Sequence, residues 1–290
     1  MDGGRVLVAG ATGRVGSAAV RHLLEAGYVV RALVRSAGKV EHLRSLGAEP
    51  VVGDVTKPET LAPALDGCAG AFSALSAATK REAEEVEYRG NANLLQAARE
   101  AGVRRFVYNS ALLVDHPLAQ RVGTFREKAC FEEALLGADG ISATVLRPVM
   151  FMETLLIALS GPVAFVPGRQ RRPVGWISAS DVARAAVCAF EKDITGRYEL
   201  AGLDTATFDE AYHRFSMAQS RRITVLHPPL SVMSLVGRFS PPVEELASMF
   251  ALFEAAGYAS DSPALRKKFS VEALTIEEWA GRVSRSGSFG

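Results

Sequence analysis

The earliest residues whose spacing suggests chemistry are Gly10, Gly13 and Gly16, in "VLVAGATGRVG". A β-branched run precedes them and an apolar helical repeat follows, which is the strand–turn–helix setting of a dinucleotide cradle. In that setting Gly10 allows the tight turn, Gly13 lets backbone approach a pyrophosphate, and Gly16 lets the helix pack closely on the strand. The anion would sit on the free N–H groups of the helix N-terminus. No Gly-Lys-Ser/Thr follows, so a P-loop is excluded. The next question is which dinucleotide. An NAD-preferring site carries Asp or Glu at the end of the second strand, whereas "RALVRSAGK" puts Arg35 there, with Lys39 nearby and Arg14 inside the loop itself. A guanidinium at that place favours a 2′-phosphate through a charge-assisted contact, so NADP(H) is the expected cofactor. Asp54, in "VVGDV", either faces the adenine or closes a turn, and the sequence leaves both open.

Other residues carry weaker signals. His116, in "VDHPL", has the chemistry of a proton donor near neutral pH. Tyr108 alternates with Ser110 along a strand and reads as core. Phe151, Met152 and Trp176 flank a change of architecture, where they either line a pocket or pack a lobe. Arg169, Arg171 and Arg172 form a basic cluster suited to an anionic substrate or partner, or to a solvated turn. Cys68, Cys130 and Cys188 are far apart with no C-x-x-C pair, so neither a disulfide framework nor a zinc site is suggested; they are expected to be reduced and buried. No metal is expected.

These side chains need a frame. Arg5–Ala9, Val29–Val34, Pro50–Val55, Gly70–Leu75, Arg105–Ser110 and Ser142–Leu146 read as buried strands. Between them Val20, Leu23, Leu24 and Gly27 recur at helical spacing, as do Leu94, Ala97, Ala98 and Ala101, and Gly27 and Gly102 stand where helix C-caps belong. Strands alternating with helices give βαβ units and a parallel sheet. After "LRP" the rhythm breaks: "PVAFVPGRQRRPVGW" reads as a hairpin-like passage, "ISASDVARAAVCAFEK" as a helix beginning near Ser180 or Asp181, and "GRYELAG" as one more strand. "FDEAYHRFSMAQ" and "IEEWAGRV" read as helices, with the Pro-rich "LHPPL" and "SPPVEEL" as breaks. The expected fold is α/β, a Rossmann-type doubly wound parallel sheet with a smaller C-terminal substrate-side lobe. Residues 1–150 form the core, 177–200 return to it, and 151–176 with 201–290 form the lobe.

Taken together, "VLVAGATGRVG", "RALVR", Gly53-Asp54, "NLLQAAREAGVRRFVYNSA", "TVLRPVMFMETL", "ISASDVARAAVCAF" and "GRYELAG" resemble the atypical short-chain dehydrogenase/reductases, specifically the NmrA-like NAD(P)-binding group. The resemblance runs in order from about Arg5 to Leu200 and more loosely beyond. It implies cofactor contacts at Thr12, Val15, Val55, Leu75 and Ser76 besides those read above. It also implies a catalytic hydroxyl after the fifth strand, matched by Ser110, and a Tyr-x-x-x-Lys pair on the next helix. Lys128 matches the lysine, assigned to the nicotinamide ribose and the developing oxyanion, but Thr124 stands at the tyrosine position. A threonine hydroxyl is far less acidic than a phenol and cannot protonate an alkoxide in its stead, which argues against ordinary ketone reduction and sugar epimerisation. A quinone or enone yields a delocalised anion that needs only electrostatic stabilisation, with water as proton source.

The balance of 33 Lys+Arg against 32 Asp+Glu lacks the basic excess of a nucleic-acid binder. No leader-like or membrane-spanning stretch is apparent, so a soluble, cytoplasmic protein with a small-molecule substrate is expected, its oligomeric state open. Two functions follow: an NADPH-dependent reductase of a quinone-like or conjugated molecule, or a non-catalytic NADP(H) sensor acting through a protein partner.

Overall fold

The computed structural model describes residues 3–36, 38, 40–258 and 263–286; Lys39 lies outside them. In chain order the strands of the first half are β1 (Gly3–Ala9), β2 (Tyr28–Val34), β3 (Glu49–Val52), β4 (Cys68–Ser73), β5 (Arg105–Asn109) and β6 (Ser142–Pro148). The helices between them are α1 (Arg14–Glu25), α2 (Val40–Ser45), α3 (Ala62–Leu65), α4 (Lys80–Glu82), α5 (Asn91–Glu100) and α6 (Gly123–Leu136). A π-helical stretch, Ala83–Gly90, joins α4 to α5 in one rod. The second half contributes β7 (Met150–Phe151), α7 (Thr154–Ile157), β8 (Leu159–Ser160), β9 (Val163–Phe165), β10 (Val174–Ile177), α8 (Ala179–Lys192), β11 (Gly196–Leu200), β12 (Asp204–Ala206), α9 (Phe208–Ala218), β13 (Thr224–Leu226), α10 (Leu230–Gly237), α11 (Pro241–Ala256), α12 (Ala264–Lys267) and α13 (Ile276–Ser286).

Among the described residues seven strands make one parallel sheet in the order β11-β6-β5-β4-β1-β2-β3. The order reverses beside β1, so the ends of β1 and β4 open the crevice in which doubly wound sheets bind ligands. α1 and α8 pack on one face in a core with Val6, Val8 and Val107. On the other, α5 and α6 pack through Leu94, Ala98, Phe131 and Leu135 against Leu7, Phe106, Tyr108 and Val145. Gly27 (φ +82°) and Gly102 (φ +75°) follow α1 and α5 in left-handed backbone that a side chain would strain, as their spacing anticipated.

Beyond β6 two small sheets, β12-β10-β7 and β13-β9-β8, share the core of the α1/α8 face. Here several readings of the sequence change. β9 and β10 belong to different sheets, so "PVAFVPGRQRRPVGW" is not a hairpin. α8 starts at Ala179, because Ser178 caps it by accepting from Asp181 N at 3.0 Å. "SPPVEEL" is no break: Pro241 and Pro242 occupy the first turn of α11, where proline costs no hydrogen bond. Cys130 is exposed on α6, unlike Cys68 and Cys188. No described helix is long and apolar enough to cross a membrane.

Candidate active site

The glycine loop is shaped by what glycine lacks. Gly10 has φ +78°, and a Cβ there would lie 2.4 Å from the Ala74 carbonyl oxygen. At Gly16 a Cβ would lie 2.1 Å from the Gly10 oxygen. The loop after β1 therefore abuts both the first turn of α1 and the loop after β4, and neither glycine tolerates even alanine without displacement of backbone. Gly13 is the N-cap of α1 and offers no side-chain cap; the first turn contains no acid. Thr12, Gly13 and Arg14 are exposed while Val15 and Gly16 are buried. Free N–H groups and the positive end of the dipole thus face solvent beside Arg14, which fits a pyrophosphate.

Arg35 follows β2 directly, is exposed, and makes no side-chain hydrogen bond or ion pair with another described residue. Asp54 takes its turn-closing role: its Oδ1 accepts from Thr56 N at 2.9 Å and Thr56 Oγ1 at 2.8 Å. Burial raises its carboxyl, but those hydrogen bonds and the charges of Lys57 and Arg35 outweigh it and hold the group below its ordinary value. Val55 is buried against Gly90. Leu75 is half-buried and Ser76 exposed, in the loop that Gly10 touches.

Contacts then run continuously to the other residues. Ala77 N donates to Glu87 Oε1 at 3.3 Å; Glu87 Oε2 accepts from Lys128 Nζ at 2.9 Å; Nζ also donates to the Asn109 carbonyl at 3.3 Å, next to Ser110. Lys128 and Ser110 are thereby brought beside the crevice. Both are engaged. Ser110 Oγ donates to Glu132, which is wholly buried and held by Arg147, with Nε at 3.0 Å from both carboxylate oxygens and Nη2 at 2.7 Å, and by Arg197 Nε at 2.9 Å. The single Ser110 proton is committed, leaving its oxygen to accept. Thr124 faces the lobe: its N and Oγ1 donate to Glu245 Oε1 at 2.8 and 2.9 Å, and Gly123 N donates to Glu245 Oε2 at 3.2 Å. Glu245, on α11, caps α6 in place of a local residue. Asn109 is 8% exposed and its Oδ1 has no partner among the described residues, an orphaned acceptor at the C-terminal end of β5.

The pocket candidates need correction. Trp176 is fully buried, donates Nε1–H to the Ala206 carbonyl at 3.1 Å and packs edge-on to Phe208, with ring centroids 5.2 Å apart. Met152 is equally buried in that core. Neither opens to solvent, because the lobe's own side chains fill the space. Only Phe151 of the three is part-exposed. His116 Nδ1 accepts from Leu118 N at 3.2 Å, capping the short helical turn at Pro117. Of the basic cluster, Arg172 donates to the Ala256 carbonyl at 3.1 Å and the Arg169 backbone to Glu254 at 3.0 Å, a tie between lobe segments.

Glu87, Glu132, Arg147, Arg197 and Glu245 carry no signal in the sequence. Glu87 sits in an acidic run that reads as solvated, and the partners of the others lie 15 to 122 positions away in the chain.

The profile of the NmrA-like family matches residues 2–281. The chain belongs to the NmrA-like family. Among relatives of this NmrA-like chain, the photosystem II assembly factor Ycf39 of Synechocystis is 29% identical over 81% of the chain and 74% of its own length. The NAD(P)H azoreductase of Xenophilus azovorans is 31% identical over 69% and 71% respectively. Of solved structures, the NADPH-dependent quinone oxidoreductase of Escherichia coli complexed with NADPH superposes with a TM-score of 0.77 at 22% identity, covering 96% of this chain and 99% of that one. The Citrobacter triphenylmethane reductase complexed with NADP(H) gives 0.72 at 20%, with the same coverage. The fold is thus the Rossmann fold that these two solved structures share.

Proposed function

We propose that this NmrA-like protein binds NADP(H) across the glycine loop and reduces a quinone-like or conjugated small molecule. The observation that carries the reading is the open α1 N-terminus beside Arg14, with Arg35, which has no side-chain partner among the described residues, at the end of β2 where NAD sites hold an acid. The quinone oxidoreductase, azoreductase and triphenylmethane reductase relatives support it. Gly10, Thr12, Gly13, Arg14, Val15 and Gly16 would hold the pyrophosphate, Arg35 the 2′-phosphate, and Val55, Leu75 and Ser76 the remaining dinucleotide edge. When bound, the cofactor supplies a hydride. The residues of this chain supply charge and shape: Lys128 brings a cation to the end of β5, and Phe151 an apolar edge.

The acceptor class follows from what is missing. Thr124 gives its proton to Glu245 and Ser110 gives its proton to Glu132, so neither has one free for an alkoxide. An acceptor whose reduced form delocalises its negative charge asks only for the Lys128 ammonium nearby, with protons from water. The engaged state of Ser110 and the filled space around Trp176 favour a second reading, an NADP(H)-sensing regulator with a protein partner. A panel of quinones, enones and aldehydes, followed by NADPH oxidation at 340 nm, separates the two. Turnover with quinones or enones and not aldehydes is the expected result; tight NADPH binding without oxidation of any acceptor would turn the reading to the sensor.

A further inference from the structure

Four glutamates, Glu82, Glu84, Glu85 and Glu87, lie within one stretch of helix, and only Glu87 is buried. It is wholly inaccessible to solvent, on the π-helical stretch; such local widening of an α-helix recurs at functional sites. A buried carboxylate persists only where it is paired and hydrogen-bonded. Both of its oxygens are used: one on Lys128 Nζ at 2.9 Å, the other on Ala77 N at 3.3 Å, in the loop that continues from Leu75 and Ser76. Burial pushes its carboxyl up and Lys128 pulls it back, with Glu245 adding to the rise.

We propose that Glu87 is the positioning residue for Lys128, fixing the buried ammonium at the C-terminal end of β5 where the crevice opens. The proposal rests on the reading of the site as an NADP(H)-binding reductase. An ammonium has three protons. Glu87 takes one and the Asn109 carbonyl, at 3.3 Å, takes a second, which leaves one donor direction for a ligand. A lysine held this way does not rotate away when a ligand leaves. Because Glu87 also holds Ala77, the lysine and the loop after β4 keep a fixed distance, so hydroxyls of a bound ribose would meet both at once. The Tyr108 ring also faces this ammonium, with its centroid 5.2 Å from Nζ; the charge of Glu245 on α11 acts on Glu87, and that of Glu132 on the Tyr108 phenol. Of these, Glu87 alone is in contact through a carboxylate, so its removal is what uncovers the charge.

The test compares wild type with Glu87→Gln, Glu87→Asp and Lys128→Met. First, the dissociation constant for NADPH is measured from pH 6.5 to 9.5 by fluorescence titration. In Glu87→Gln the isosteric amide carries no counter-charge and holds the ammonium less firmly, so affinity should lie at least tenfold below wild type throughout that range. Glu87→Asp should restore most of the wild-type profile. With an active acceptor, kcat should fall at least tenfold in Glu87→Gln with the acceptor KM within threefold. A folded Glu87→Gln with unchanged affinity profile and kcat would overturn the proposal. Should Glu87→Gln unfold, the Lys128→Met/Glu87→Gln double variant decides: if Glu87 serves Lys128, removing the stranded cation restores a cooperative thermal transition, whereas a double variant as unfolded as Glu87→Gln would overturn the pairing. A wild type that fails to bind NADPH refutes the cofactor reading before any variant is made, and the thermal cycle still reports whether the pair exists.

Discussion

Arg35→Ala tests cofactor choice at its one decisive side chain. Arg35 stands exposed at the C-terminal end of β2 with no hydrogen-bonded partner among the described residues, and its charge reaches Asp54 across the end of β3. It therefore gives up no hydrogen bond to a described residue when a phosphate arrives, and its removal strands no buried described group. A charge-assisted contact is worth about 1.5–3 kcal/mol, and exposure to solvent and salt reduces that to roughly 1–2 kcal/mol. At about 1.4 kcal/mol per tenfold, affinity for NADPH should fall roughly 5- to 30-fold. NADH lacks the 2′-phosphate, so its affinity should change less than twofold. Titration of both nucleotides against wild type and variant at two salt concentrations gives the ratio directly, with the gap narrowing at high salt. Equal losses for NADPH and NADH would refute the 2′-phosphate assignment.

Three further outcomes are expected. Trp176→Ala should cost about 3–5 kcal/mol by opening a cavity beneath Phe208 and lower the thermal midpoint by roughly 10 °C, with NADPH affinity retained, since the residue packs the lobe and lines no open site. Glu245→Ala strips the cap from α6 and should cost about 1–2 kcal/mol, a fall of a few degrees in a thermal melt; no change would mean that α11 does not secure that helix. Arg147, by hydrogen bond and charge, holds the Asp115 carboxyl below its ordinary value of 3.8, so the contribution of Asp115 is present above that value and lost as pH falls through the folded one. Asp115→Asn should then lower the thermal midpoint at pH 7 and match wild type near pH 2; an equal gap at both would contradict the pairing.

The sheet was legible because most of its first six strands are short apolar runs rich in β-branched residues, alternating with stretches of helical spacing, a local pattern. Gly10, Gly13 and Gly16 were legible for the same reason. α10 and α11 were not read, because paired prolines at a helix start look like a break until the missing N–H is recognised as one that the first turn leaves unbonded anyway. Trp176 and Met152 stay open between pocket and packing in the sequence, since apolar residues at a change of architecture suit either a cavity or the side chains that fill it, and only the fold decides. The acids of the site were invisible: nothing in "EAEEVEYRG" marks Glu87 apart from its neighbours, and Glu132 reveals itself only when Arg147 and Arg197 converge on it from separate strands.

The central claim is that NADP(H) lies in the crevice and is oxidised there by a conjugated acceptor. One equivalent of NADPH bound to the protein, mixed in a stopped-flow cell with excess naphthoquinone and followed at 340 nm, tests it most directly. The account expects a single exponential loss of absorbance faster than free NADPH by orders of magnitude, slowed by deuterium on the transferred position. Loss at the rate of the free nucleotide, with NADPH still bound, would contradict it.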